Sequence, residues 1–251
     1  MEAQGGASVF HKVVVEPAYK AVSAAIERAI VDGALPPGSA LPTEQVLSER
    51  FGVHRSTVRE AIRQVEQEGL LQRREGRRLF VCLPGVHDLA SRASRLLLLH
   101  QVTFQELWDV AVVLEPLAAR LAASQAAADD LALLDANMDA SRREKSFDKL
   151  VALDTEFHAL VGRASHNRAL MLAREPVGLL YNPTLRDLFK RLPQSSGRNL
   201  EAHGHTLDAL HRRDGDAAVE WTCKHMVDFQ RGFAMAGLDM SKPIAQPNPG
   251  P

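Results

Sequence analysis

Residues 41–81, LPTEQVLSERFGVHRSTVREAIRQVEQEGLLQRREGRRLFV, constrain this chain more than any other stretch. Thr43 can cap a short helix whose apolar positions are Val46, Leu47 and Phe51, and Gly52 stops it. After the tight Gly52-Val53 turn, a second helix is predicted over residues 56–67, with Val58, Ala61, Ile62 and Val65 on one face. Gly69 ends that helix. Two short strand-like runs, 70–73 and 79–81, then flank Glu75-Gly76 and read as a hairpin wing. A helix, a turn containing glycine, a second amphipathic helix and a wing make a winged helix-turn-helix.

Charge indicates what such an element meets. Between Arg50 and Phe80 there are eight arginines and four glutamates (Glu60, Glu66, Glu68, Glu75), in a chain whose formal net charge is −1. Arg55, Arg59 and Arg63 recur every four residues, which lines one helix face with arginine while Val58, Ile62 and Val65 face inward. Arg73, Arg74, Arg77 and Arg78 crowd the hairpin tip. A charge run is usually just a solvated face. Here it coincides with a second helix and a wing, and arginine can hold phosphate or guanine through two parallel hydrogen bonds. The expected partner is a double-stranded DNA operator.

Three runs carry a family resemblance: Leu35-Pro36-Pro37-Gly38-Ser39-Ala40-Leu41-Pro42-Thr43-Glu44, Phe51-Gly52-Val53-His54-Arg55-Ser56-Thr57-Val58-Arg59-Glu60-Ala61 and Glu68-Gly69-Leu70-Leu71. Over about residues 17–81 the chain resembles the DNA-binding domain of the GntR superfamily of bacterial repressors. The resemblance implies base and phosphate contacts at His54, Arg55, Ser56, Thr57 and Arg59, and a wing-tip contact at Gly76. Gln45 stands where many relatives place an arginine that reaches DNA, and Arg78 where the wing usually has glycine. The operator sequence therefore does not carry over.

The 251 residues have room for two domains. Hydrophobic residues at 45% can supply a core, and aromatics at only 5% with many alanines and leucines suit helix-on-helix packing. Cys82 and Cys223 make no disulfide framework and fit a reducing cytoplasm. No apolar run approaches the ~18 residues of a membrane span, and the N-terminus lacks the layout of a signal peptide. The expectation is a cytoplasmic protein that meets the nucleoid when bound to DNA. A loose arm over residues 1 to about 15 leads to a first helix over 17–32. The head is expected to occupy 10–82, with a linker at 83–88 around Pro84-Gly85 and an all-helical antiparallel bundle over 89–240. Thr103 and Glu106 form a capping-box pattern for a helix reaching about residue 127, which Pro116 should kink or split. The proline-rich 241–251 reads as a disordered tail.

The bundle holds a candidate metal site. Asp154 and His158, four apart, share a helix face, and His203 and His225 lie on two later helices divided by the Asp214-Gly215 turn. One carboxylate and three imidazoles suit zinc, with nickel or manganese as alternatives. An Asp–His pair at this spacing is nevertheless more often a surface or capped core pair. Ligating imidazole must be neutral, so metal affinity is expected to fall as pH drops near ~6.5.

Asp154-Thr155-Glu156-Phe157-His158, Asn167, His203 with Ala209-Leu210, Asp216, Ala218 and Lys224-His225 resemble the FCD effector domain of the FadR subfamily, over about residues 100–230. The resemblance implies that Asp154, His158, His203 and His225 ligate one divalent ion. His205 lies off that face; Cys223, also off it, reads as buried packing. The segment Leu107-Trp108-Asp109-Val110-Ala111-Val112-Val113-Leu114-Glu115 resembles the domain's opening, but Ala111 replaces an arginine that can hold an effector carboxylate. Arg163, Arg174 or Arg186 could substitute for it. The whole reads as a homodimeric regulator, a repressor, whose bundle binds a small organic acid at the metal. A regulator with a purely structural metal and a metal-dependent hydrolase are the alternatives. Against the hydrolase, no general base stands at a recognisable spacing to the ligands.

Overall fold

The computed structural model describes residues 16–74 and 78–244. The expected N-terminal arm, the wing tip with Glu75, Gly76 and Arg77, and the final residues 245–251 lie outside the described residues. The chain forms two compact units, Met1–Gly85 and Val86–Pro251.

The first unit contains α1 (Ala18–Val31), α2 (Glu44–Phe51), α3 (Arg55–Gln67), β1 (Leu71–Arg74) and β2 (Arg78–Val81). Its core joins Val22, Ile26 and Ile30 of α1 to Leu47 of α2, to Val58, Ala61, Ile62 and Val65 of α3, and to Leu71 and Val81 of the wing. The apolar spacing of α3 thus selects its inner face, as helical periodicity requires. Phe51, which the sequence places on the apolar face of α2, is instead 37% exposed beside the turn. β1 and β2 pair antiparallel from Leu71↔Val81 to Arg74↔Arg78. The extended 38–41 segment adds to this ladder: Gly38 N–H donates to Val81 O at 2.8 Å and Leu41 N–H to Leu79 O at 2.8 Å. The wing is therefore tied at its root to the loop that precedes α2.

The second unit is helical: α4 (Val86–Leu99), α5 (Phe104–Gln125), α6 (Ala128–Arg143), α7 (Phe147–Ala164), α8 (Arg168–Gly178), α9 (Asn182–Arg191), α10 (Gln194–His211) and α11 (Gly215–Met235). Because α4 already begins at Val86, the linker expected over 83–88 is shorter on its C-terminal side. Thr103 caps α5 through the anticipated box: its Oγ1 accepts from Glu106 N–H at 3.2 Å, and the Glu106 carboxylate accepts from Thr103 N–H at 2.8 Å. Pro116 does not split α5, which runs unbroken past it with the proline buried. Packing on both sides outweighs the roughly 3 kcal/mol that an interior proline costs a helix. Ala118, Ala119, Ala122 and Ala123 are fully buried and make a seam of small side chains along α5. Short side chains let helices approach closely, and α10, α11 and α7 pack around this seam.

Ser241–Ile244, expected to belong to a disordered tail, are held in place. Gln105 N–H donates to Met240 O at 2.9 Å, Ile244 N–H to Val102 O at 3.0 Å, and the Ile244 side chain packs with Leu107 and Leu180. Backbone pairing with the start of α5 outweighs the low propensity of a proline-rich segment. Among the described residues no helix is long and apolar enough to cross a membrane.

Candidate functional site

The reading head presents the start of α3. Thr43 Oγ1 caps α2 by accepting from Val46 N–H at 3.4 Å, and Gly52 turns the chain in the left-handed region at φ 64°. That turn favours glycine, since a Cβ would strain it. Ser48 Oγ then donates to Val53 O at 2.6 Å, which fixes the angle between α2 and α3. His54 occupies the N-cap of α3 without any side-chain hydrogen bond to the helix. Thr57 N–H donates to His54 O at 3.0 Å, and the N–H groups of Arg55 and Ser56 are left for an outside acceptor. His54, Arg55, Ser56, Arg59 and Arg63 are exposed and Thr57 is half-buried.

These arginines are not all free. Arg59 clamps Glu44 of α2 through Nε at 3.2 Å and Nη2 at 2.9 Å. Arg63 clamps Glu60 at 3.2 and 2.7 Å, and Arg73 of the wing reaches Glu66 at 2.9 Å. The hydrogen bonds to Arg59 hold the Glu44 carboxyl below its ordinary range despite some burial. Exposed Gln45 donates to Glu49 at 3.2 Å.

In the second unit, α7, α10 and α11 bring Asp154, His158, His203 and His225 together, with one donor atom from each lying within 4.8 Å of all the others. Opposite donors of a small divalent ion sit about 4.2 Å apart, twice a ~2.1 Å bond. The cluster is therefore within a small contraction of ligating distance. The imidazole centroids of His158, His203 and His225 are 4.9–5.4 Å apart, and Phe157 stacks on His203 at 4.1 Å.

Neighbours set the protonation of each donor. His158 Nδ1 faces Glu115 Oε2 at 3.0 Å. An ionised carboxylate can only accept, so this nitrogen carries a proton, and in the neutral imidazole it is Nε2 that keeps the lone pair. Burial works against the His158 imidazolium, but the charge and hydrogen bond of Glu115, with Asp154, overcome it and hold its pKa above the ordinary value. Burial, then the neighbouring histidines, pushes His203 well below its usual range, and burial with His158 brings His225 down to about 3. Burial raises the Asp154 carboxyl, although Asn199 Nδ2 donates to its Oδ1 at 2.6 Å. His203 Nε2 is buried, has no hydrogen-bond partner, and lies 3.6 Å from Asp154 Oδ1. A neutral buried nitrogen left without a partner among three other donors fits a metal ligand.

A cleft opens on Asp154, His158 and His225. Of the three arginines expected to serve it, the structure brings only Arg174 there. Arg163 is half-exposed with Asp130 as its nearest charge at 3.9 Å, and Arg186 pairs with Asp148 at 2.7 Å. Arg163 follows His158 by five residues, about 140° round the helix from the ligand face. Arg174 is only 3% exposed and meets Glu115 Oε1 with both Nε and Nη2 at 2.9 Å. Burial alone would raise the Glu115 carboxyl, but Arg174 and His158 hold it at about 2. A Cβ at Gly162 would stand 2.8 Å from Arg174 Cδ, and one at Gly178 would stand 3.3 Å from its Nη2. Two glycines thus make the channel through which this side chain passes.

Glu115 was not singled out from the sequence. Its signal was present: an acid between Leu114 and Pro116 in an apolar helix, four residues after Ala111, needs a buried partner. Tyr181, which also lines the cleft, was missed as well. His205 stacks on Trp221 at 3.8 Å, away from the cluster. Cys223, expected to be buried, is exposed, because two residues from His225 is about 200° round the helix and faces outward here.

A cationic helix-turn-helix on one compact unit, with a cleft inside a helical second unit, is the build of a transcriptional regulator. Comparison gives the family. Residues 18–81 match the model for bacterial regulatory proteins of the gntR family, and residues 106–228 match the FCD domain. The chain belongs to the GntR family, as a DNA-binding transcriptional regulator with an FCD effector-binding domain. The Glc operon transcriptional activator of Escherichia coli (strain K12) is 30% identical over 208 residues, spanning 78% of this chain and 81% of that protein. The HTH-type transcriptional regulator LutR of Bacillus subtilis (strain 168) is 28% identical over 207 residues, 80% of this chain and 94% of its own. In fold, the Streptococcus agalactiae GntR structure matches with a TM-score of 0.58 at 23% identity, covering 85% of this chain and 99% of that one. The family and these relatives are transcriptional regulators, not enzymes.

Proposed function

We propose that this protein is a homodimeric repressor whose helical domain holds a divalent transition metal, zinc first, and senses a small organic acid that binds at that metal. The observation that carries this reading is the four-donor cluster on three helices, opening on a cleft. A structural metal would be enclosed by protein. Here three of the four donors line the cleft, which favours sensing. When bound, the metal would supply a Lewis-acidic anchor for an anion. The chain's own residues then do the rest: Glu115 fixes the His158 tautomer, Asn199 orients Asp154, and the packing of α7, α10 and α11 sets the spacing.

On DNA, His54, Arg55, Ser56, Thr57 and Arg59 of the α3 face, with Gln45 of α2, are the proposed contacts. The uncapped first turn of α3 supports a phosphate there. Gly76, the proposed wing-tip contact, lies outside the described residues. Dimerisation follows from operator symmetry, since one small head makes too few contacts for a stable specific complex. It is supported by the apolar stripe of Val110, Val113 and Leu117 on α5, 44%, 64% and 42% exposed.

Elemental analysis of purified protein tests the reading, together with melting shifts on adding zinc, nickel or manganese. Bound metal and a raised melting temperature are expected. His225→Ala should lose both, along with any acid-induced release from DNA, while still binding DNA. Metal-free protein with no shift for any of the three ions would overturn it.

A further inference from the structure

The charges and walls of the cleft restrict which acids it accepts, an inference that rests on the metal reading above. Arg174 is the one lysine or arginine among the residues lining the cleft, and Glu115 cancels it. Its Nη1 is also committed, to Glu175 Oε2 at 3.3 Å. A divalent ion held by ionised Asp154 and three neutral imidazoles leaves a net charge of one. A single carboxylate neutralises that charge. A second carboxylate would find no unpaired cation, since Arg174 is held by Glu115 and Arg198, further along, by Asp228 at 2.5 Å.

The rest of the wall is apolar: Ala111, Leu185, Met226 and Phe229. Hydroxyl groups placed against these side chains would give up water without a replacement. Thr155 offers little, because its hydroxyl already bonds Val151 O at 3.0 Å and Asn182 Oδ1. The Tyr181 hydroxyl is different: it is buried and has no hydrogen-bond partner. Burial pushes that phenol up, so it stays protonated and is a donor. Past Leu185, His225 and Phe229 a second cavity continues, with Leu188, Phe189, Leu192 and Met235 offering an apolar wall; its one arginine, Arg198, is paired with Asp228 at 2.5 Å.

We propose that this cleft selects a monocarboxylate with an apolar body and one oxygen that accepts from Tyr181, and rejects dicarboxylates and polyhydroxy acids. Calorimetric titration of the zinc-loaded full chain tests this, with hexanoate, benzoate and 2-hydroxybenzoate against succinate and gluconate. At least one of the first three should bind about 10-fold or more tighter than either of the last two, since unmatched polar groups are penalised strongly in a site that cannot pair them. Tyr181→Phe should weaken 2-hydroxybenzoate by about 3- to 10-fold, the worth of one hydrogen bond, and leave benzoate within about twofold. Glu115→Gln, which frees the Arg174 charge, should raise succinate affinity. If that variant does not fold, the Tyr181 comparison still decides.

Succinate or gluconate binding as tightly as the apolar acids, or no acid binding to protein that zinc stabilises, would overturn this inference alone. So would equal losses for benzoate and 2-hydroxybenzoate in Tyr181→Phe. Protein that zinc does not stabilise would overturn the metal reading and this inference with it.

Discussion

Arg59 shows how a single residue is shared between folding and recognition. Its guanidinium bridges α3 to Glu44 of α2, so a phosphate or base must compete with that carboxylate. Arg59→Ala is expected to weaken operator binding roughly 10- to 100-fold in a gel-shift titration if the contact is bidentate to a base. If the contact is to phosphate alone, all sequences should weaken together and the salt slope should fall by about one. Glu44→Gln should tighten non-specific binding, because it removes a competing negative charge from the DNA face. Gly162→Ala is a second residue-scale prediction. Its Cβ would press on Arg174 Cδ at 2.8 Å, so urea unfolding should show a loss on the order of 1–3 kcal/mol, as overpacking gives. Arg174→Ala should cost about 3–5 kcal/mol by leaving the buried Glu115 charge with His158 as its one remaining partner. The clustering of Asp154, His158, His203 and His225, the proposed metal donors, was legible because each falls on a helix face at a recognisable place in a family motif. The Glu115–Arg174 pair was not, since α5 and α8 meet only in three dimensions and no spacing along one helix reports it.

Among the elements, α7, α10 and α11 hold the proposed metal, and their behaviour with pH can be worked out for chelated protein. His225 has a folded pKa of about 3 and His203 lies well below its ordinary value, against ~6.5 when unfolded. As pH falls through that window the unfolded chain takes up protons that the fold refuses, so stability is lost. His158 acts oppositely: its raised value contributes stability that is full below ~6.5 and lost as pH rises through that value. Among the histidines two are lowered and one raised; Glu115, lowered, adds to the acid loss and Asp154, raised by burial, offsets part of it, so the decline is expected to be steeper toward pH 4 than toward pH 9. Thermal melts in the presence of chelator check this, and a decline toward acid no steeper than toward base would count against it. Most helix limits were legible, because caps and glycines mark them; Thr43 and Thr103 each accept the expected N-terminal hydrogen bond, and Asn167 and Asp214, not singled out as caps, accept one too. α10 begins at Gln194 with no side-chain cap. Ser195, Ser196 and Gly197 have loop propensity, and packing of the helix overrides it.

At the scale of the molecule, light scattering should return twice the 27.5 kDa chain mass, both free and on DNA. A monomer in both states would remove the proposed role of the α5 stripe, and Val113→Glu is expected to shift the equilibrium toward monomer. The two cores share no residue: one ends at Val81, and those of the helical unit lie beyond it. Scanning calorimetry is expected to resolve two transitions, only one of which moves on adding zinc. This separation bears on how such a regulator can change over generations. A crossover near residues 83–85 exchanges one whole core for another and cuts through neither. The address on the chromosome and the chemical signal are thus heritable as independent cassettes, and a lineage can acquire a new signal while keeping its promoters.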